Sequence, residues 1–143
     1  MNSLFFKEEH KMIKEMVRDF AITKIKPVAR ELDSKELFPK ELVTEMGELG
    51  LMGVMVPEEY GGCGLDMTAF TAAIIELGKA DASVAITMAA HNSLGIMPLL
   101  LFGTEEQKKS YLPDLASGKT LGAFGLTEPC LLYTSDAADD IPR

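Results

Sequence analysis

Along residues 8–32 the apolar positions Met12, Ile13, Met16, Val17, Phe20, Ile25, Val28 and Leu32 recur at helical spacing, with Lys, Glu, Arg and Asp on the other face. This pattern predicts a long amphipathic helix. Pro27 has no N–H to give, so the helix is expected to kink or divide about one turn upstream of it. Phe38-Pro39 opens a second helix, with Pro39 at its first position, Leu42, Val43, Met46 and Leu49 on one face and Gly50 at its end. A short apolar run over 52–56 leads into Pro57-Glu58-Glu59-Tyr60-Gly61-Gly62-Cys63-Gly64, a loop in which glycines permit backbone shapes that side chains forbid.

Asp66 stands where a side chain caps a third helix carrying Phe70, Ile74 and Leu77, and Asp81 where it caps a fourth running to Ala90. The fourth is apolar on both faces, which predicts a central position, and residues 83–102 as a whole read as two buried helices. Thr104 and Gln107 have capping-box spacing and start a further helix. After Ala116-Ser117-Gly118-Lys119, residues 121–127 alternate as a strand does. A lone strand finds no ladder partner, so this one is expected to belong to a sheet that the chain does not supply.

The chain of 143 residues has 47% apolar and 25% charged residues, the balance of a soluble globular domain. Fourteen Lys and Arg against 22 Asp and Glu give a formal charge of −8, with no basic stripe to neutralise phosphates. A nucleic-acid partner and an anionic membrane surface are therefore excluded as expectations. The stretch 83–102 is long enough to span a bilayer, but His91, Asn92, Ser93 and Pro98 interrupt it and no basic residues flank it. The start has neither the basic segment nor the apolar core of a signal peptide, so a cytoplasmic location is expected. Cys63 and Cys130, with His10 and His91, form neither a disulfide framework nor a zinc pattern, and no metal is expected.

Four segments taken in order carry a family resemblance. They are Lys26-Pro27-Val28-Ala29; Val56-Pro57-Glu58-Glu59-Tyr60-Gly61-Gly62-Cys63-Gly64-Leu65-Asp66; His91-Asn92-Ser93-Leu94 running on to Gly103-Thr104-Glu105-Glu106-Gln107-Lys108; and Phe124-Gly125-Leu126-Thr127-Glu128-Pro129. Together, over residues 5–129, they resemble the acyl-CoA dehydrogenase family, with the flavour of short-chain, butyryl-CoA-type bacterial members.

The resemblance implies an all-α domain of about six helices over residues 1–119, then the first strand of a truncated FAD-binding β domain over 120–129. The intact protein is then a flavoenzyme that removes an α-proton and a β-hydride from a short- or medium-chain acyl-CoA to give a trans-2-enoyl-CoA. Its glutamate base belongs to a C-terminal domain beyond this chain, so no catalytic residue is expected here and the chain alone is expected to be inactive. FAD is implied as cofactor, an electron-transfer flavoprotein as electron partner and a homotetramer as the intact assembly. By the same resemblance Phe124, Leu126 and Thr127 border the flavin ring, while Thr87 and Leu94 lie near the acyl chain.

From Cys130 on, the pattern departs. Leu131-Leu132-Tyr133-Thr134-Ser135-Asp136-Ala137-Ala138-Asp139 resembles a translated sequencing adapter, so residues 130–143 are read as a non-native tail. Two other readings stay open: a stand-alone helical interaction module, and a relative that passes electrons to oxygen, such as an acyl-CoA oxidase.

Plainer readings are assigned to the remaining chemistry-bearing residues. His91 sits on an apolar stretch and reads as a satisfied core histidine, and Cys63 as an inert thiol. Glu58-Glu59 and Glu105-Glu106 are adjacent pairs whose side chains diverge, so they read as solvated charge. The methionines are first of all core fillers.

Overall fold

The computed structural model describes residues 7–125 of the chain. Within them all the regular secondary structure is helical: α1 (Glu8–Phe20), α2 (Ala29–Ser34), α3 (Lys40–Glu48), α4 (Met67–Gly78), α5 (Ala82–Ala90), α6 (Met97–Phe102) and α7 (Glu105–Ala116). π-helical turns at Ala21–Ile25 and His91–Ile96 follow α1 and α5 directly. α5, the second π turn and α6 make one rod of 21 residues, so the independent helices number six, as expected.

Both π turns stand just before a proline, Pro27 and Pro98, and the physical reason is shared. A proline ring collides with the carbonyl four residues back and offers no N–H to it. Widening the preceding turn to i→i+5 bonding moves that carbonyl aside and keeps the helix going. After the first π turn Lys26 N–H donates to the Ala21 carbonyl at 2.9 Å, and the chain breaks briefly before α2. Pro39 is the residue before α3 rather than its first helical position, one place earlier than the sequence suggested.

The predicted caps form. Asp66 Oδ1 accepts from the N–H groups of Thr68 and Ala69, each at 3.0 Å, and Asp81 Oδ1 from Ser83 at 2.7 Å and Val84 at 3.0 Å. At α7, Thr104 N–H donates to Gln107 Oε1 at 2.8 Å while Gln107 N–H donates back to Thr104 Oγ1 at 3.2 Å. Each interaction satisfies a first-turn donor that the helix leaves unpaired.

α1 packs on α4 and α4 on α5, and Val17, Ile25, Met46, Leu51, Met52, Leu77 and Met88 close the main core between them and the turn at Leu51–Gly53. A second cluster joins Val56, Tyr60, Ile96, Leu112 and Ala116. The loop between α3 and α4 folds back on itself: Cys63 N–H donates to the Gly53 carbonyl, Gly64 to Val56 and Leu65 to Val54. Gly62 is forced there, because a Cβ at that position would stand 2.2 Å from the Val56 carbonyl oxygen.

Two expectations are corrected. The rod is not buried on both faces: Val84, Ala85, Met88, His91, Asn92 and Ile96 face inward, but Ile86 is 65% exposed and Phe102 84% exposed. By length and composition the rod could cross a membrane, yet its inner face is committed to the core and to buried hydrogen bonds. The second correction concerns the strand. Residues 121–125 have no regular secondary structure, and there is no strand among the described residues, which provide no partner to complete a ladder. The rest of the expected strand, Leu126 and Thr127, and the whole 130–143 tail lie outside the described residues.

Candidate functional site

Of the residues expected to contact ligand, Thr87 lies on α5, Leu94 on the π turn that follows it and Phe124 on the segment after α7, while Leu126 and Thr127 fall outside the described residues; buried His91 stands where the π turn begins. His91 is 1% exposed and uses both ring nitrogens. Nε2 lies 3.0 Å from the Leu115 carbonyl oxygen, which can only accept, so Nε2 carries the proton. Nδ1 is left as an acceptor and takes the Gly122 N–H at 2.9 Å. Burial pushes the His91 pKa below its ordinary value, and the Leu115 and Met52 carbonyls oppose that shift without cancelling it. The ring is a neutral structural link and has no nitrogen to spare for acid–base work.

One turn further on, Gly95 meets Gly122. A Cβ on either glycine would lie 2.7 Å from the other's Cα, so the exit segment can cross the rod only where both lack side chains. The same segment is anchored upstream by Thr120 N–H, which donates to the Asp114 carbonyl at 3.1 Å. Asn92, beside His91, is buried as well, and its Nδ2 donates to the Leu51 and Met88 carbonyls, each at 3.0 Å.

Around this crossing the predicted residues take different positions. Leu94 is 50% exposed on the π turn, next to Gly95. Phe124, two residues past Gly122, is 54% exposed, and a Cβ on neighbouring Gly125 would meet no atom within 4 Å. Thr87 is half-buried on α5, and its hydroxyl donates to the Ser83 carbonyl at 2.9 Å, a bond that points it along its own helix. The crossing sets Gly95, which follows Leu94, against Gly122, two residues before Phe124, while Thr87 belongs to the helix leading up to it. Such a surface can hold apolar or flat groups and exclude water; the side chains described at it supply no free base or nucleophile.

Elsewhere the structure brings together groups that spacing did not connect. Glu9, His10 and Asp66 have ligand-type atoms within 4.8 Å of one another, a trio the two-histidine sequence did not suggest. Existing bonds account for its geometry: His10 Nδ1 accepts the Lys7 N–H at 3.0 Å and its Nε2 lies 2.9 Å from Asp66 Oδ1, the same oxygen that caps α4. Lys7 Nζ sits 3.2 Å from Glu9, so the trio already has its cation. Glu105, read as solvated, accepts the Tyr60 hydroxyl at 2.7 Å. Burial pushes the Cys63 thiol up, which keeps it protonated and unreactive. A groove of about 480 Å³ between α2 and α3, lined by Val28, Leu32, Phe38 and Leu42 among others, lies away from Thr87, Leu94 and Phe124.

Residues 7–119 match the profile of the acyl-CoA dehydrogenase N-terminal domain. An acyl-CoA dehydrogenase of Bacillus subtilis is 48% identical over 122 residues, which are 85% of this chain and 32% of that protein. A short-chain specific acyl-CoA dehydrogenase of Clostridium acetobutylicum is 44% identical over 121 residues, again 85% of this chain and 32% of the other. Among solved structures, one of the electron-transferring flavoprotein of Acidaminococcus fermentans includes a chain that superposes with a TM-score of 0.85 at 43% identity, over 90% of this chain and 34% of that one. An acyl-CoA dehydrogenase of Bacillus anthracis complexed with FAD superposes with a TM-score of 0.80 at 46% identity, over 87% of this chain and 21% of that one. The chain thus spans about a third of the length of the curated relatives it matches.

Proposed function

Because the chain belongs to the acyl-CoA dehydrogenase family through its N-terminal helical domain, we propose that it is the N-terminal third of a FAD-dependent enzyme that converts short- or medium-chain acyl-CoA into trans-2-enoyl-CoA. The observation that carries this reading is the match of residues 7–119 to the domain profile. In this reading FAD is the cofactor, an electron-transfer flavoprotein takes the electrons and the intact protein is a homotetramer. Residues 130–143 are a non-native tail.

The described residues suit one edge of a flavin. Phe124 is 54% exposed, so its ring offers a surface to a flat aromatic group. When bound, FAD supplies a two-electron acceptor. Phe124, with Leu126 and Thr127 beyond the described residues, borders the ring, and Leu94 and Thr87 shape the acyl end of the pocket. These side chains bind and keep water out. His91 has both nitrogens engaged and the Thr87 hydroxyl donates its hydrogen bond to the Ser83 carbonyl, so neither moves a proton in the reaction. The base comes from sequence beyond this chain.

Sequencing the source DNA across and beyond the codons for Pro129 tests the reading. An open frame that continues past Pro129, whose product purifies yellow and is bleached by butyryl-CoA, is the expected result. A natural stop at Arg143 would overturn it in favour of a stand-alone helical module. A yellow product that reduces oxygen as readily as an electron-transfer flavoprotein would overturn the dehydrogenase assignment in favour of an oxidase.

A further inference from the structure

The bonds at the π turn do more than fill a core. Residues 121–125 leave the domain without ladder partners among the described residues, so two hydrogen bonds and one steric contact decide where they run. Thr120 N–H holds the Asp114 carbonyl, Gly122 N–H holds His91 Nδ1, and Gly95 lies against Gly122. The middle bond is over-determined, because the Leu115 carbonyl fixes which nitrogen of His91 is protonated and how the ring is turned. We infer that His91 is a positioning residue: held by Leu115, it accepts the Gly122 N–H across the Gly95–Gly122 crossing and so sets the path on which Phe124 is carried to the cofactor.

The part of this inference that concerns the cofactor rests on the function proposed above; the part that concerns the path of the segment does not. Phe124 lies two residues past the clamp, so a Gly122 released from His91 or pushed off Gly95 displaces it, and misplacements of about 1 Å matter where reacting groups must be aligned. Two substitutions separate clamping from simple packing. In His91→Asn the side-chain oxygen stands near the place of Nδ1 and still accepts the Gly122 N–H, while the bond to Leu115 is lost. In His91→Gln the longer amide reaches Leu115, while the acceptor for Gly122 is lost. A purely structural histidine predicts equal behaviour of the two.

The first experiment is amide hydrogen exchange on the 143-residue chain by NMR. In His91→Gln the Gly122 amide is expected to exchange about tenfold faster than in the parent, and in His91→Asn within about threefold of it. Equal exchange in all three proteins overturns the clamp. Should either variant fail to fold, the ¹⁵N shifts of the parent's own imidazole decide: a proton on Nε2 with Nδ1 bare is required, and a proton on Nδ1 overturns the inference.

The second experiment places the same substitutions in the frame-complete protein loaded with FAD and records visible circular dichroism of the flavin. A changed flavin signal with His91→Gln and a parental one with His91→Asn supports positioning toward the cofactor; identical signals in all three overturn it. A frame-complete parent that takes up no FAD removes the proposed function and with it the cofactor part of this inference, while the exchange result still decides the clamp.

Discussion

Arg18 holds Glu76 from 58 positions away, with Nε 3.2 Å from Oε2 and Nη2 3.2 Å from Oε1. The forked pair ties α1 to α4, the two helices that form one side of the main core. Glu76 is 2% exposed and also receives Lys79 Nζ at 2.8 Å, so the buried carboxylate is neutralised from two sides. Burial pushes its pKa up, and the hydrogen bonds from Arg18 and Lys79 outweigh that and hold it below the ordinary carboxylate range.

The sign of that shift sets an acid limit. A carboxyl whose folded pKa lies below its unfolded value, about 4.3, contributes fully above that pH and loses its contribution as pH falls through the folded pKa. Urea midpoints followed downward from pH 6 should fall steeply below about pH 4.5, and Glu76→Gln should flatten that fall while lowering stability at pH 7. An unchanged acid slope in Glu76→Gln would count against the pair.

His91 adds a second dependence at higher pH. Its folded pKa is depressed, so the unfolded chain takes up the proton first, at about 6.5. The neutral ring's contribution is complete above that value and declines as pH drops below it. Melting temperatures measured between pH 7.5 and 5.5 should decrease in the parent, and His91→Asn, which cannot titrate, should show a shallower trend from a lower starting point. Parallel curves would contradict the assignment.

Tyr60 should titrate late. Its hydroxyl donates to Glu105, and that bond, with burial and the nearby carboxylates, pushes its pKa up to about 12. Because the folded value lies above the unfolded one, near 10, the bond's contribution is present below about pH 10 and is lost as pH rises toward 12. Tyrosinate absorbance near 295 nm should therefore show a late component that Tyr60→Phe abolishes.

Met88 tests the core. It is fully buried where α5 meets the main cluster, and truncation to Ala should cost about 2–5 kcal/mol, because close-packed surroundings fill the space only in part. Met88→Leu, which conserves volume, should cost less than about 1.5 kcal/mol. Chemical denaturation of both variants checks the difference.

The sequence by itself determined the features whose physics is local. Asp66, Asp81 and the Thr104–Gln107 pair cap helices within three residues of themselves, and the spacing of Ile13, Val17 and Phe20 marks the inner face of α1. Pro27 marked a break in the first helix, but that the chain meets it, and Pro98 after it, with a π turn only the structure made plain. The ordered motifs pointed to the family because they are strings along the chain. Tertiary structure decided the rest. Ile86 and Phe102 are as apolar as Met88, and no pattern in an all-apolar helix says which side another helix will cover. Residues 121–125 alternate as a strand does, but a strand exists only through partners, and none stands beside them among the described residues. The links of Arg18 to Glu76 and of His91 to Gly122 join positions 58 and 31 residues apart. Hydrogen bonds of that separation depend on how helices pack, so sequence reads His91 as a satisfied core residue, and only the three-dimensional structure shows that Leu115 and Gly122 are what satisfy it.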